Sequence, residues 1–472
     1  MLLQVIFLTK NEYLRVTIFG NRPLIMQLTH YIMKKKLLIG GFLLLIGLCL
    51  QAQEVKYEEY DLDNGLHVIL HQDNSAPLVT TSVMYHVGGK DRTEGRTGFA
   101  HFFEHLLFEG TKNIERGKWF EIVSSHGGIN NANTSQDRTY YYEVFPSNNL
   151  KLGLWLESER MLHPVIDQKG VETQQEVVKE EKRLRYDNRP YGQLISEVGK
   201  NLFKKHPYKD PNIGYMEDLD AATLDDVIAY NHKYYVPNNA VLVVAGDIDL
   251  AETKKMIQDY FGPIPKGKDV VRNYPKEDPI LKEVRTKAYD PNIQLPASVI
   301  SYRTPGFKER DAYVLDMIST YLSDGRSSKL YKKMVDEQKQ AIQVGAFNVG
   351  QEDYGMYLVY ALPVGETDLE TLITEMEEEV AKVRDSLISE KDHQKLLNKF
   401  ENQFVNSNSG VEGIAHSLAQ YYLLYGDTEL INKEIDIFRS ITREEIMEVA
   451  NKYLRPDQRV IIDYLPKEPQ SN

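Results

Sequence analysis

The sequence predicts an α+β protein built from two copies of one domain plan, each a sheet covered by helices. Three observations predict it. The 472 residues are 42% hydrophobic and 26% charged, a globular composition that excludes wholesale disorder, collagen and coiled coil and leaves room for more than one core. Strand patterns such as Leu66-His67-Val68-Ile69-Leu70, after an Asn64-Gly65 turn, alternate with long helical patterns in both halves. The stretch Thr223 to Val243 recurs as Thr442 to Ile462, at a constant offset of 219.

From the N-terminus, residues 1–32 match no targeting pattern and read as upstream sequence ahead of a start at Met33. Residues 33–52 read as a secretory signal peptide: Met33-Lys34-Lys35-Lys36 is the basic head, Leu37 to Leu50 the apolar run, and Ala52 the small residue before cleavage. A run of about 14 residues is short of the roughly 20 a membrane helix needs. Leu48 precedes Cys49 where lipoprotein processing requires a small residue. The mature chain, from Gln53, then contains no cysteine. Disulfides and thiolate zinc fingers are excluded, and any metal must be held by His, Asp or Glu. Residues 1–52 hold six Lys/Arg and one Asp/Glu, so their removal takes the net charge from −13 to −18. That balance argues against nucleic acid as a partner. An exported, periplasmic protein is expected.

The first domain is expected over 53–265. In the repeat, Thr223 pairs with Thr442, Asp225-Asp226-Val227 with Glu444-Glu445-Ile446, and Pro237 with Pro456. Each copy reads as a capped helix, a proline turn and a buried strand. Ser82-Val83 and Ser298-Val299 open similar apolar strands, at an offset of 216. Offsets this similar suggest duplication of a whole domain of about 200 residues. Pro263, Pro265, Pro275 and Pro279 punctuate a charged stretch without sustained period, which reads as a linker over 266–285. The second domain is expected over 286–472.

The sharpest chemical signal is Gly98-Phe99-Ala100-His101-Phe102-Phe103-Glu104-His105-Leu106-Leu107-Phe108. Residues four apart share a helix face, so His101 and His105 can address one ion. Neutral imidazoles suit zinc, and Glu104 sits beside the same face, within reach of an activated water. The order His-x-x-Glu-His is the inverzincin signature. A catalytic zinc site needs a third protein ligand. The charged helix Glu172 to Arg183 offers Glu172, Glu176, Glu180 and Glu181, and composition does not choose among them.

The motif, its distance from the glutamate-rich helix and the duplicated domains together resemble the pitrilysin family of zinc peptidases, whose members of similar size include mitochondrial processing peptidase and its bacterial relatives. The resemblance covers nearly all of the mature chain. It includes Leu62-x-Asn64-Gly65-Leu66, the His101 motif through Gly110-Thr111, Asn131-Ala132-x-Thr134, Val177-Val178-x-Glu180-Glu181, and Ser327-Ser328-x-Leu330-Tyr331. It implies mostly antiparallel sheets in two domains that face each other across a chamber. It places the third ligand at Glu181 and turns Glu180 elsewhere. A supporting acid seven residues before the ligand is replaced here by Gln174. Asn131 and Ala132 are carried over as backbone contacts to an extended peptide added at a sheet edge.

These residues imply one Zn2+ per chain, because Met317, Thr320 and Tyr321 stand at the matching offset in the second half and cannot form a second site. The implied reaction is peptide-bond hydrolysis in unfolded peptides or small proteins, with Glu104 as the catalytic base. The competing class is a non-catalytic structural or peptide-binding subunit. The resemblance also implies an Arg and a Tyr seven residues apart on the second domain, where this chain has Val335 and Ile342. A heterodimer is therefore expected, in which a homologous partner without zinc supplies Arg and Tyr. A homodimer or monomer is the alternative.

Overall fold

The computed structural model describes residues 54–466. The expected upstream segment and signal peptide lie outside them. Among the described residues no helix is long and apolar enough to cross a membrane.

Among the described residues, eleven strands form two sheets. In the first half they are β1 (Glu58–Asp61), β2 (His67–Gln72), β3 (Leu78–Tyr85), β4 (Ile129–Thr134), β5 (Thr139–Pro146) and β6 (Ala240–Gly246). The second half supplies β7 (Val284–Asp290), β8 (Ala297–Pro305), β9 (Ala341–Val349), β10 (Tyr354–Pro363) and β11 (Arg459–Pro466). The first sheet runs β1-β2-β6-β3-β5-β4 and the second β7-β11-β8-β10-β9. Apart from β1 the two orders correspond strand for strand. Each sheet has one parallel pair, β2/β6 and β7/β11, and is otherwise antiparallel. The repeat identified in the sequence is thus a repeat of architecture. Its two helix caps form as expected: Thr223 accepts from the Asp226 N–H and Thr442 from the Glu445 N–H.

The strand register corrects one detail. Ser82 lies opposite Val243, and Val299 lies opposite Ile462. Val243 and Ile462 are repeat counterparts, so Ser82 corresponds to Val299 rather than Ser298, and Val83 to Ile300. A slip of one residue turns every side chain to the other face of a strand. The packing follows the corrected register. Val83 and Ile300 lie in the main core of their own halves, while Val299 lies in a second cluster on the opposite face. Matching residue types alone misaligned the two strands by one position.

That opposite face carries an exchange. The helix Leu194–Leu202, from the first half, places Val198 and Leu202 against Val299, Leu358, Val460 and Ile462 of the second sheet. The helix Val411–Gln420, from the second half, places Ile414, Ala415 and Leu418 against Met84, Val241 and Val243 of the first. Each fully buried aliphatic side chain contributes about 1.5–3 kcal/mol, so the reciprocal cover ties the halves together. Each of these two covering helices packs on the sheet of the other half.

No helix or strand lies between Phe261 and Val284, although β7 begins just inside the expected linker. The connection is fastened down. Arg272 Nε lies 2.8 Å from Asp91, the Tyr274 hydroxyl donates to Asp91 at 2.7 Å, and Glu277 accepts from the N–H groups of Lys204, Lys205 and His206.

Candidate metal centre

The His-x-x-Glu-His motif folds as the helix Phe99–Leu106. Its entry requires glycine: Gly98 has φ +80°, and a Cβ there would lie 2.5 Å from the Ile213 carbonyl oxygen. Phe99, Ala100, Phe102, Phe103 and Leu106 are buried, and the Tyr141 hydroxyl donates to the Phe103 carbonyl at 3.1 Å. Just beyond the helix, fully buried Arg160 donates to the Leu107 carbonyl at 3.1 Å. Arg160 also pairs with Glu157 at 3.0 Å and Glu143 at 3.2 Å. It lies 4.0–4.4 Å from the ring centres of Phe108, Trp119 and Tyr141. A cation at the carbonyl end of a helix opposes its dipole, so Arg160 fixes the motif helix by charge and by packing.

This anchored helix presents His101 and His105 on one face. Glu181 reaches them from the end of the helix Gln168–Lys182. Its Oε2 lies 3.0 Å from His105 Nε2 and 3.6 Å from His101 Nε2. The three donor atoms all lie within 4.8 Å of one another. Tetrahedral zinc at about 2.0–2.2 Å from its ligands holds them about 3.4 Å apart, so two imidazoles and a carboxylate at these separations fit zinc. Exposed Glu180 turns away to Arg183 at 3.1 Å. Of the four glutamates, Glu181 is the one that the structure brings to both imidazoles.

The electrostatics favour the protonation states that bind a cation. Burial, then His105, push His101 down to about 4, which leaves its imidazole neutral at pH 7. The hydrogen bond with His105 holds the Glu181 carboxyl below its ordinary value. Arg185 engages the other oxygen, Oε1, at 2.9 Å. Gln174 donates to Glu109 at 2.5 Å rather than to a ligand, and Arg116 closes on Glu109 at 2.6 Å. The amide therefore braces the two helices instead of orienting an imidazole. His101 Nδ1 is buried without a hydrogen-bond partner among the described residues.

Glu104 stands beside the ligand face. Burial raises its carboxyl pKa, and a 2.6 Å hydrogen bond from Thr134 Oγ1 opposes the rise. Thr134 ends β4, the outer strand of the first sheet, whose one neighbour is β5. Asn131 and Ala132 lie on this strand, opposite Tyr142 and Tyr141. The Ala132 N–H donates to its neighbour's side chain, Asn131 Oδ1, at 3.0 Å. The edge is open, and it runs to the carboxylate.

A cavity of about 620 Å³ lies between the halves, with Thr134, Arg138 and Tyr186 on one wall and Phe307, Asp316 and Asn348 on the other. This is the chamber the resemblance implied. In the second half, Met317, Thr320 and Tyr321 lie on the helix Arg310–Ser323 and supply no His or carboxylate. Ile342, on β9, is half exposed, and Val335 packs against the second core. Neither can donate a hydrogen bond. Sequence reading missed Thr134 as a partner of Glu104, Arg185 as a partner of Glu181, and Arg160 as the clamp. Only Thr134 carried a signal, as part of the quoted Asn131-Ala132-x-Thr134 motif.

Two duplicated domains with a His-x-x-Glu-His helix and a distant glutamate define a pitrilysin-type fold and site. Comparison with known proteins agrees. Residues 67–214 match the family model "Insulinase (Peptidase family M16)", and residues 221–400 match "Peptidase M16 inactive domain". The chain belongs to peptidase family M16, the insulinase/pitrilysin family. It is 29% identical over 444 residues to the zinc protease PqqE of Helicobacter pylori, covering 93% of this chain and 100% of that protein. The solved structure of a protease from Helicobacter pylori matches with a TM-score of 0.82 at 28% identity, covering 87% of this chain and 100% of the other. The first half of the periplasmic protease PqqL from Escherichia coli matches with a TM-score of 0.70 at 19% identity, covering 88% and 93%; that likeness concerns the fold.

Proposed function

We propose that this chain is an exported, periplasmic zinc metalloendopeptidase that hydrolyses peptide bonds in unfolded peptides or small proteins. The convergence of His101, His105 and Glu181 beside Glu104, at the end of an open sheet edge, carries the proposal. When bound, one zinc supplies Lewis-acid activation of water and of the scissile carbonyl. His101, His105 and Glu181 hold it with two neutral donors and one charge. Asn131 and Ala132, on β4, offer backbone groups to an extended peptide, which pairs as an added strand. That pairing carries the peptide past Thr134 to Glu104. Glu104 takes a proton from the attacking water and returns it to the leaving amine. The enclosed chamber admits an extended chain and excludes a folded one.

Export is supported by the signal-peptide pattern over residues 33–52 and by the periplasmic description of PqqL. The test is cleavage of an unfolded peptide by the purified mature chain. Activity should disappear with a chelator and return with added zinc; cleavage indifferent to chelator contradicts the proposal.

The aliphatic Val335 and Ile342 favour a second component. In this reading a homologous subunit without zinc completes the site with Arg and Tyr. The chain then acts in a heterodimer rather than as a homodimer or monomer.

A further inference from the structure

The chamber has a side pocket that hydrolysis itself does not use. Beyond the shared residues Phe307, Asp316, Asn348, Gly350, Gln420 and Tyr425, the main cavity opens into an inner space of about 350 Å³ within the second half. Its walls are aromatic: Phe307 and Tyr425 stack with ring centres 4.6 Å apart, and Phe400 and Phe438 stack at 4.2 Å. Asp316 stands where the two spaces join. Asn348 Nδ2 donates to its Oδ1 at 3.0 Å, and Asn348 is itself held by Thr304 at 3.2 Å. Among the described residues Asp316 makes no ion pair. Deeper in, Glu434 accepts from the Tyr421 hydroxyl at 2.7 Å. Neither Lys nor Arg lines the inner space. Its histidine, His416, is pushed down to about 4 by burial, so it is neutral at pH 7 and does not neutralise the carboxyl groups. In the outer cavity, Gln351 is 7% exposed and its Oε1 has no donor among the described residues. Arg138, on the opposite wall, is engaged with the Asn133 carbonyl at 3.0 Å.

Carboxyl groups without a cation, in a pocket lined by aromatic rings and beside the orphan Gln351 oxygen of the outer cavity, call for a guest that is cationic and only donates. A guanidinium meets both requirements. It has five N–H donors and no acceptor, it stacks on aromatic rings, and it gives up its weak hydration more readily than an ammonium. Building on the peptidase reading above, we propose that this pocket is a specificity subsite. It receives a basic side chain of the substrate, arginine ahead of lysine, with Asp316 as its counter-ion. Burial, reinforced by Glu434 and opposed by the Asn348 bond, pushes the Asp316 carboxyl up to about 7 without a guest. An arriving cation favours its ionised form.

The test uses two labelled, unfolded peptides that differ at one position, arginine in one and its neutral isostere citrulline in the other. Affinity is measured on the full mature chain carrying E104Q, so that binding is read whether or not the protein cleaves. The arginine peptide should bind at least about tenfold more tightly, the scale of one charge-assisted hydrogen bond. D316N should reduce that preference to less than about twofold, and D316E should keep most of it. If D316N does not fold, F307A removes the aromatic wall and should show the same loss. Equal affinity for the two peptides, or a preference that D316N and F307A leave intact, overturns the subsite. Cleavage by the native complex, with Glu104 restored and any homologous subunit present, is scored separately. Preference without cleavage supports the pocket and contradicts the peptidase reading, whereas cleavage without preference does the reverse.

Discussion

Thr134 Oγ1, at the end of the open edge strand, donates a 2.6 Å hydrogen bond to Glu104 Oε2. The end of the edge strand and the carboxylate of the motif helix are therefore joined directly. In the reaction proposed above, a peptide in register with β4 is also in register with Glu104.

Thr134→Val tests that coupling. Loss of the hydroxyl removes the group that opposes the burial-driven rise of the Glu104 pKa. The acidic limb of kcat/KM should move to higher pH, because the charged carboxylate loses a donor. Activity at neutral pH should fall roughly tenfold. Thr134→Ser should restore both. An unmoved pH limb contradicts the coupling.

Metal retention separates Glu181 from its neighbour. His101→Ala, His105→Ala and Glu181→Gln should each lose zinc, while Glu180→Gln keeps about one ion per chain. Elemental analysis of protein purified without chelator decides it. Zinc lost from Glu180→Gln but kept by Glu181→Gln would reverse the assignment.

Arg160→Met should destabilise the protein by about 3–5 kcal/mol, because Glu143 and Glu157 are then buried without their cation. Burial, with Glu157 close by, already pushes the Glu143 carboxyl well above its ordinary value. Urea unfolding measures the loss. A cost below about 1 kcal/mol contradicts the clamp.

The halves are also joined by buried Lys90, which lies 2.8 Å from Glu352 and 2.9 Å from Asp353. Burial works to raise both carboxyl groups, but His86 and Lys90 hold Glu352 far below the usual range, and His206 and Lys90 hold Asp353 at about 2. Groups with depressed pKa values stabilise the fold above their unfolded pKa, and that contribution is lost as pH falls through the folded value. Stability should therefore decline from about pH 4.5 towards pH 2. Lys90→Met should start less stable and decline less. Parallel declines, followed by denaturant midpoint, contradict this role.

Size measurement of the native complex addresses the partner. Recovery with a homologous subunit of similar size, and higher activity when that subunit is added back, are expected. Full activity of the isolated chain, indifferent to any partner, contradicts the heterodimer.

The legible parts of the sequence were those with local periodicity. The spacing of His101, Glu104 and His105 implies one helix face, and Thr223 and Thr442 mark the starts of the two repeat helices, Leu224–Tyr234 and Arg443–Tyr453. Glu181 was not legible in this way. A charged helix with four glutamates looks the same whichever one faces inward, and only a family resemblance singled out Glu181 as the expected ligand. The exchange of the helices Leu194–Leu202 and Val411–Gln420 was invisible for a related reason. An amphipathic stripe says that a face is buried but not which sheet buries it. The one-residue shift between Ser82 and Val299 was hidden because two serines invited alignment, whereas backbone pairing sets the register. Arg160 gave no signal, since its partners come from three separate segments.

The most direct test of the central claim is Glu104→Gln, read for zinc content and for cleavage of an unfolded peptide in the same preparation. The near-isosteric amide should leave about one zinc per chain and an unchanged fold. Turnover should fall on the order of 10²–10⁴-fold, the range for loss of a general base. Zinc retained with cleavage at the wild-type rate would show that Glu104 is not the base and contradict the mechanism proposed for this site.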